Sequence, residues 1–383
     1  MYAGLVAAFL FALISPKLAS RSGPGQIESV IRSDDIRKYA GELGFDFLGV
    51  APARAAPHAE ALERWLGAGF AADMSWMGRD AEKRADPSSV LAGARSVIAV
   101  GLSYFVQEPP PELWNDPLRG RIARYAWGPD YHEVMLPMLR ELGNRLAAES
   151  DAPVAWRAYV DTGPVLERGV AEAAGLGFVG RNAMLINQEF GSLIFLGELI
   201  THIEFESDPA GNRQPAIEDS LCGRCRRCLD ACPTGAFPRE YVLDANRCIS
   251  WLTIENRGAI PEALRPAMRN WVFGCDECQT VCPWVKQHSK PGRTRFLEFD
   301  AATCCPSLVE LMRLDEAAFR ERFAGTPVLR AKRRGLLRNA AVALGNAGDP
   351  AALPVLEEAM RDEEPLIREH AEWALKRLRG SAR

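Results

Sequence analysis

The chain has 383 residues, 48% of them hydrophobic, with a formal net charge of −4 and ten cysteines. That length exceeds one ordinary core, so two or three domains are expected, and a small scaffold that depends on disulfide staples is excluded. The slightly acidic balance gives no global sign of nucleic-acid binding, so any contact with RNA must come from local basic patches.

In chain order, the apolar stretch "LVAAFLFALI" (residues 5–14) looks like the core of a signal peptide but is too short to span a bilayer. No Lys or Arg precedes it and no clear small-residue cleavage pattern follows. Residues 1–26 are therefore expected to be an extension, either disordered or the product of a mis-assigned start, with export as the alternative. From 27 to 207 helical patterns alternate with apolar runs that predict strands: "FDFLGV", "SVIAVGLSY", "WRAYV" and "SLIFLGELI". "AEALERWLGAGF" and "HEVMLPMLRELGNRLAAES" carry apolar residues at helical intervals, so this region is expected to be α/β around a central sheet. Polar, loop-like sequence at 208–220 marks a boundary, and a cysteine-rich domain is expected over 208–300. The remainder, 301–383, is predicted to be wholly helical. Within it "AAVAL" at 340–344 is echoed 31 residues later by "AEWAL", with "GDP" and "DEEP" as breaks, which is the length of a two-helix solenoid repeat. An ordinary alanine-rich helical hairpin is the alternative.

The cysteines carry the strongest chemical signal. "CGRCRRCLDACPTGAF" places Cys222, Cys225, Cys228 and Cys232 in a tight run closed by a proline, and Cys248 is followed by Cys275, Cys278 and Cys282 in "CDECQTVCPW". A CxxCxxC turn wraps three thiolates around one face of a four-iron cube, and in two-cluster ferredoxins the cysteine before the proline serves the other cube. This pattern assigns Cys222, Cys225, Cys228 and Cys282 to one [4Fe-4S] cluster, and Cys232, Cys248, Cys275 and Cys278 to a second. Tetrahedral zinc is the rival for such spacings. Clustered CxxC units in a long chain also point to a reducing compartment, hence to the cytoplasm. Cys304 and Cys305 have no CxxC partner and are expected to be ordinary buried thiols.

Two clusters need none of the roughly two hundred residues before them, so the first region is expected to receive their electrons. There Asp161 stands where an apolar strand ends, just before Thr162, Gly163 and Pro164. An Asp or Thr ahead of a Pro-initiated helix is a common N-cap. A carboxyl at a sheet edge can instead project into a ligand crevice, where burial would raise its pKa and let it donate a proton.

From about residue 30 to 378 the chain resembles the epoxyqueuosine reductases, corrinoid iron–sulfur enzymes of queuosine synthesis in transfer RNA. The resemblance is carried by "YAWGPDYHEVM", "DTGPVLERGVAEAAGLGFVGRNAMLI", the two cysteine runs and "RCISWLTIENRG". It implies an α+β multidomain chain: an α/β cobalamin-binding domain, a ferredoxin-like two-cluster domain and a HEAT-like helical repeat. It implies that cobalamin binds with its own base detached and no protein histidine on cobalt. The chain's "DYHEVM" has Met135 where the lower-ligand signature D-x-H-x-x-G requires Gly, so His132 reads as a packing or hydrogen-bonding residue. By position in "DTGP", Asp161 matches the proposed general acid. Arg84, Asp161, Arg181, Asn182 and Ser250 match positions near the corrin, although Arg181 stands where lysine is common in the family and Trp251 where tyrosine is usual.

The reaction so implied is reduction of the epoxide of epoxyqueuosine at the wobble position of tRNA, with the oxygen leaving as water. The electrons would come from cob(I)alamin, whose formation demands a strong reductant; four-iron clusters reach down to about −700 mV. The RNA would meet the basic runs "KQHSKPGRTR" and "RAKRRGLLR", giving Lys290, Arg293, Arg295, Lys332, Arg333 and Arg334 as candidate phosphate contacts. An external donor of ferredoxin or flavodoxin type, a monomeric state and no membrane contact complete the expectation. The rivals are a corrinoid reductive dehalogenase and a two-cluster electron carrier without catalysis.

Overall fold

The computed structural model describes residues 33–151, 153–205, 221–294, 297 and 300–381. The expected extension 1–26 and the polar stretch 208–220 lie outside the described residues. Eight strands occur among those described: β1 (Phe47–Pro52), β2 (Ser96–Ser103), β3 (Arg121–Ile122), β4 (Trp156–Tyr159), β5 (Phe178–Val179), β6 (Leu185–Ile186), β7 (Ile194–Thr201) and β8 (Trp271–Phe273).

The four apolar runs predicted as strands build one sheet, in the order β1-β2-β7-β4. Every neighbouring pair is antiparallel. The sheet is central and helix-covered, as expected, but its strand directions make the region α+β, so the crevice rule for parallel sheets does not locate its site. Period-two alternation divides β2 between two cores. Ile98, Val100 and Leu102 pack with Ile36, Met135 and Leu139 of the helices Ser33–Leu43 and Tyr131–Glu149. Val97 and Ala99 pack with Val170 and Ala171 of the helix Glu167–Ala173 on the other face. That helix comes so close to β1 that a Cβ on Gly49 would lie 2.0 Å from the carbonyl oxygen of Ala174, so only glycine fits there.

The carboxyl-terminal part is helical, as predicted. The echoed alanines fall on the long helices Lys332–Ala347 and Pro365–Ser381, which approach so closely that a Cβ on Gly345 would sit 2.9 Å from Ala374. Gly348, at φ 70°, ends the first helix in the left-handed conformation, and Pro365 opens the second. Packing crosses the sequence boundaries. Ile122, Trp127 and Phe273 share a core with Leu336, Leu344 and Leu356, and β3 pairs with β8 in parallel.

One buried side chain fastens the repeat to the cysteine-rich segment. The Arg338 guanidinium, 0% exposed, donates to the carbonyl oxygens of Leu252 (2.6 Å), Asn256 (2.8 Å) and Gly258 (2.7 Å). Its neighbour Asn339 donates to Thr253 and Val272. Burial pulls the Arg338 pKa down to about 9, so the three carbonyls hold a desolvated cation. No helix among the described residues is long and apolar enough to cross a membrane.

Arg338→Met leaves three buried acceptors without their donor. It is expected to lower stability by about 3 kcal/mol or more, read as a fall in the thermal midpoint. A midpoint equal to that of the parent would refute the fastening role.

Candidate active site

Beyond the end of β4 the chain turns sharply. Asp161 has φ 59°, a left-handed conformation uncommon outside glycine, and Thr162 N–H donates back to Val160 at 2.6 Å. Two contacts hold Asp161: its N–H donates to the Glu167 carboxylate, and its carboxylate accepts from the Tyr131 hydroxyl at 2.9 Å. Tyr131 is itself fixed by stacking on Phe195 of β7, with ring centroids 4.4 Å apart. The next helix starts only at Glu167, with Leu166 at its cap position, so Asp161 is not a helix cap. The burial expected for it is also absent, because its side chain is 62% exposed.

Three further groups face this turn. Asp130 caps the helix Tyr131–Glu149 and takes His132 Nδ1 at 2.7 Å; that bond raises the imidazole pKa. His132 Nε2 is buried without a hydrogen-bond partner, 3.8 Å from the Asp161 carboxylate. His132 is thus a hydrogen-bonding residue, as expected. Arg84 donates to the carbonyl oxygen of Gly163 at 3.1 Å, while its Nε is buried and unpartnered. The orphaned Arg84 Nε–H fits a ligand that offers carbonyl acceptors, such as the amide-fringed corrin, and His132 Nε2, whose ring donates through Nδ1 to Asp130, is left to meet a ligand group of its own. Opposite Asp161, Arg330 forks onto Glu255 with two bonds of 2.9 Å and lies 5.8 Å from the Trp76 ring. Arg330 and Trp76 were not singled out in the sequence; the only signal was the place of Arg330 in a basic run.

The cysteines gather in two groups. Cys222, Cys225, Cys228 and Cys282 line a cavity of about 180 Å³ together with Arg181 and Trp284. Cys278 lies within electrostatic reach of Cys232 and Cys248, and Cys275 of Cys248 and Cys278. Backbone N–H groups of Trp284 and Val285 bond the Cys282 sulfur, and those of Ser250 and Trp251 bond Cys248. Burial pushes the Cys228 thiol up to about 11 and Cys275 and Cys278 well above the usual thiol range. Desolvated thiols with N–H donors suit a polynuclear iron centre, whose charge would hold them as thiolates. Among the described residues no group of three or more His, Cys, Asp or Glu side chains is already drawn together around one metal position.

Arg181 is not a solvated surface arginine: it pairs with Glu240 at 2.8 Å, donates to Gly223 and borders the cysteine cavity. Asn182 donates to the Cys278 carbonyl at 3.3 Å, and the Ser250 hydroxyl bonds the Cys248 sulfur. Of the residues expected around a corrin, Arg84 and Asp161 therefore meet at the turn, while Arg181, Asn182 and Ser250 contact the cysteine groups.

A continuous route joins the two regions. Cys278 of the second group senses Cys228 of the first. Asp276, between Cys275 and Cys278, is buried and accepts from Arg124 N–H at 2.7 Å. The adjoining Tyr125 packs edge-on against Tyr131, 6.1 Å between centroids, and Tyr131 holds Asp161.

The basic candidates differ in availability. Lys290, Arg293 and Lys332 are exposed. Arg333 is committed to Asp362 and to the Leu314 carbonyl, and Arg334 to the Arg257 carbonyl. Arg295 lies outside the described residues.

Residues 84–162 match the family model "Epoxyqueuosine reductase QueG, DUF1730", residues 221–285 the "4Fe-4S double cluster binding domain" and residues 326–383 the HEAT repeats. The middle of the chain is thus a double-cluster domain, followed by a HEAT repeat. The epoxyqueuosine reductase of Pseudomonas aeruginosa is 41% identical over 349 residues, which cover 90% of this chain and 94% of that protein. A crystal structure of epoxyqueuosine reductase with a tRNA-Tyr epoxyqueuosine-modified stem loop superposes with a TM-score of 0.81 at 34% identity, covering 90% of this chain and 89% of the other. The Bacillus subtilis epoxyqueuosine reductase, solved with an aspartate-bearing catalytic loop swung out of the active site, gives a TM-score of 0.80 at 33% identity, covering 90% of each chain. With its strained aspartate turn, its paired cysteine groups and relatives matched over nine-tenths of its length, the chain belongs to the epoxyqueuosine reductase family.

Proposed function

We propose that this chain reduces the epoxide of epoxyqueuosine at the wobble position of tRNA to the alkene of queuosine. The observation that carries the reading is the series of contacts from the cysteine cavity, through Asn182 to the Cys278 carbonyl and on through Asp276, Tyr125 and Tyr131, to an exposed, strained Asp161. In support, the related structure holds a modified stem loop of the required kind.

Cobalamin seated against the Asp161 turn and reduced by two [4Fe-4S] clusters would supply the two electrons. The residues of the chain divide the remaining work. Cys222, Cys225, Cys228 and Cys282 would hold one cluster, and Cys232, Cys248, Cys275 and Cys278 the other. Arg84, through its buried Nε–H, and His132, through its unpartnered Nε2, would hold the corrin. Asp161, oriented by Tyr131 and covered once corrin and RNA are bound, would give its proton to the oxygen as the C–O bond breaks, so that no free alkoxide has to leave. Lys290, Arg293 and Lys332 are exposed cations that would meet phosphates, Lys290 by exchanging its 3.6 Å ion pair with Glu189. The setting is the cytoplasm, the protein a monomer, and the external donor of ferredoxin or flavodoxin type. Neither rival, dehalogenase or carrier, accounts for the helical repeat and the relatives together.

Asp161→Asn is expected to keep the spectra of corrin and clusters yet lose on the order of a hundredfold or more in turnover. Unchanged turnover would remove the acid. Cys282→Ala should abolish one cluster signal in electron paramagnetic resonance and spare the other; loss of the signal that also depends on Cys248 would overturn the ligand partition. Lys290→Ala with Arg293→Ala is expected to weaken stem-loop binding and flatten its salt dependence, whereas Arg333→Ala should chiefly lower thermal stability by unpairing Asp362. Equal affinity and an identical salt slope in the Lys290/Arg293 variant would exclude that patch.

A further inference from the structure

Behind the Asp161 turn lies a carboxyl group that its surroundings do not neutralise. Glu198 sits in the middle of β7, opposite Ala99 of β2 and Tyr159 of β4, and is 0% exposed. Neither of its carboxyl oxygens meets an N–H or O–H donor. What faces it is the carboxyl of Glu167, the first residue of the helix packed on that side of the sheet. Two carboxyl groups in hydrogen-bonding contact need a proton between them, because each oxygen is otherwise only an acceptor. Two bare charges there would cost several kcal/mol each, by the order of magnitude for desolvated ions.

The other titratable groups facing the pair are Asp161, Tyr131, His132 and Arg168. Arg168 is engaged with the Ala183 carbonyl and His132 with Asp130, so neither bonds Glu198. Burial drives the Glu198 pKa well above the carboxylate range. Burial first, then repulsion from Asp161, lifts Glu167 to about 7. A leucine at 198 would satisfy the core at no such cost. The pair meets the turn at its backbone, where Glu167 accepts from Asp161 N–H, and Tyr131, whose hydroxyl donates to the Asp161 carboxylate, faces Glu167 as well and offers the proton a path between them.

The reaction proposed above consumes two electrons and two protons: one proton converts the epoxide oxygen to a hydroxyl, and the second releases it as water with formation of the alkene. The electrons come from the external one-electron donor through the clusters. Asp161 carries one proton at a time, and on that reading an RNA loop seated over its exposed carboxyl would cut it off from bulk water. We propose that Glu167 and Glu198 hold one shared proton beneath the Asp161 turn and return it to Asp161 after the first transfer. Asp161 can then protonate the leaving oxygen again, and the pair regains its proton from solvent when the product departs. Glu167 and Glu198 act through Asp161, as positioning and relay residues. This inference rests on the reductase reading.

The test uses the holoprotein with a modified stem loop, in single turnover across pH, together with infrared spectra of the protein alone. In the parent, one protonated-carboxyl C=O component should be lost as pH rises through about 7, where Glu167 ionises, while the component of the proton kept by Glu198 persists above it. The single-turnover rate should hold as long as that component does. Glu198→Gln keeps a hydrogen bond to Glu167 but stores no proton; it should lack the band at neutral pH and lose about tenfold or more in rate. Glu198→Met, which fills the space without any polar group, should be at least as stable as the parent and equally slow. A band that persists in Glu198→Gln, or rates and pH profiles in both variants that match the parent, would overturn the relay. A parent that shows the titrating band but reduces no epoxide under any condition would instead refute the reductase reading.

Discussion

Cysteine sulfurs taken out of water and ringed by N–H donors set the terms for the middle of this protein. Burial alone would leave Cys228, Cys275 and Cys278 protonated, because desolvation disfavours the thiolate. A cationic centre reverses that preference, and the geometry offers two cysteine groups for it, one of them around a cavity. The short helices Ile249–Ile254 and Pro283–His288 each begin directly after a cysteine, so their free N–H groups point at sulfur. A double-cluster domain follows from local chain geometry as much as from the count of cysteines.

From there the architecture serves one end of one strand. The antiparallel sheet gives Asp161 its place, the Tyr131 stack gives it an orientation, and Glu167 holds its backbone in a conformation that costs energy. The helical repeat is part of the same body. Through Arg338 and Asn339 it grips the carbonyls of the segment that carries Cys248 and β8, and through Arg330 it reaches the rim opposite Asp161. Removing the repeat would thus unmake the site wall as well as a surface on which RNA could rest.

Legibility in the sequence followed the range of the interaction. All four sheet strands were readable, because each is an apolar run whose burial is decided by its own residues. The CxxC pairs were readable because their spacing is local, whereas the placing of Cys282 beside Cys222, Cys225 and Cys228 came from the two-cluster ferredoxin pattern. Strand direction was not, since nothing within a strand encodes the direction of its neighbour. The cap reading of Asp161 failed because Pro164 stands in a loop and the helix waits until Glu167. The basic run 330–338 misled for a different reason: charge in a sequence looks the same whether it meets water, Asp362 or three buried carbonyls. Glu198 is the sharpest case, an acidic residue inside an apolar run whose burial only the assembled sheet reveals.

The central claim is that two iron–sulfur cubes feed a corrin seated beside Asp161. Anaerobic purification with cobalamin supplied, followed by absorption and paramagnetic spectra and by counts of iron, sulfide and cobalt, tests it most directly. The account predicts about eight irons, a matching amount of acid-labile sulfide and one corrin per chain. Zinc in the cysteine groups, with no corrin retained, would contradict it.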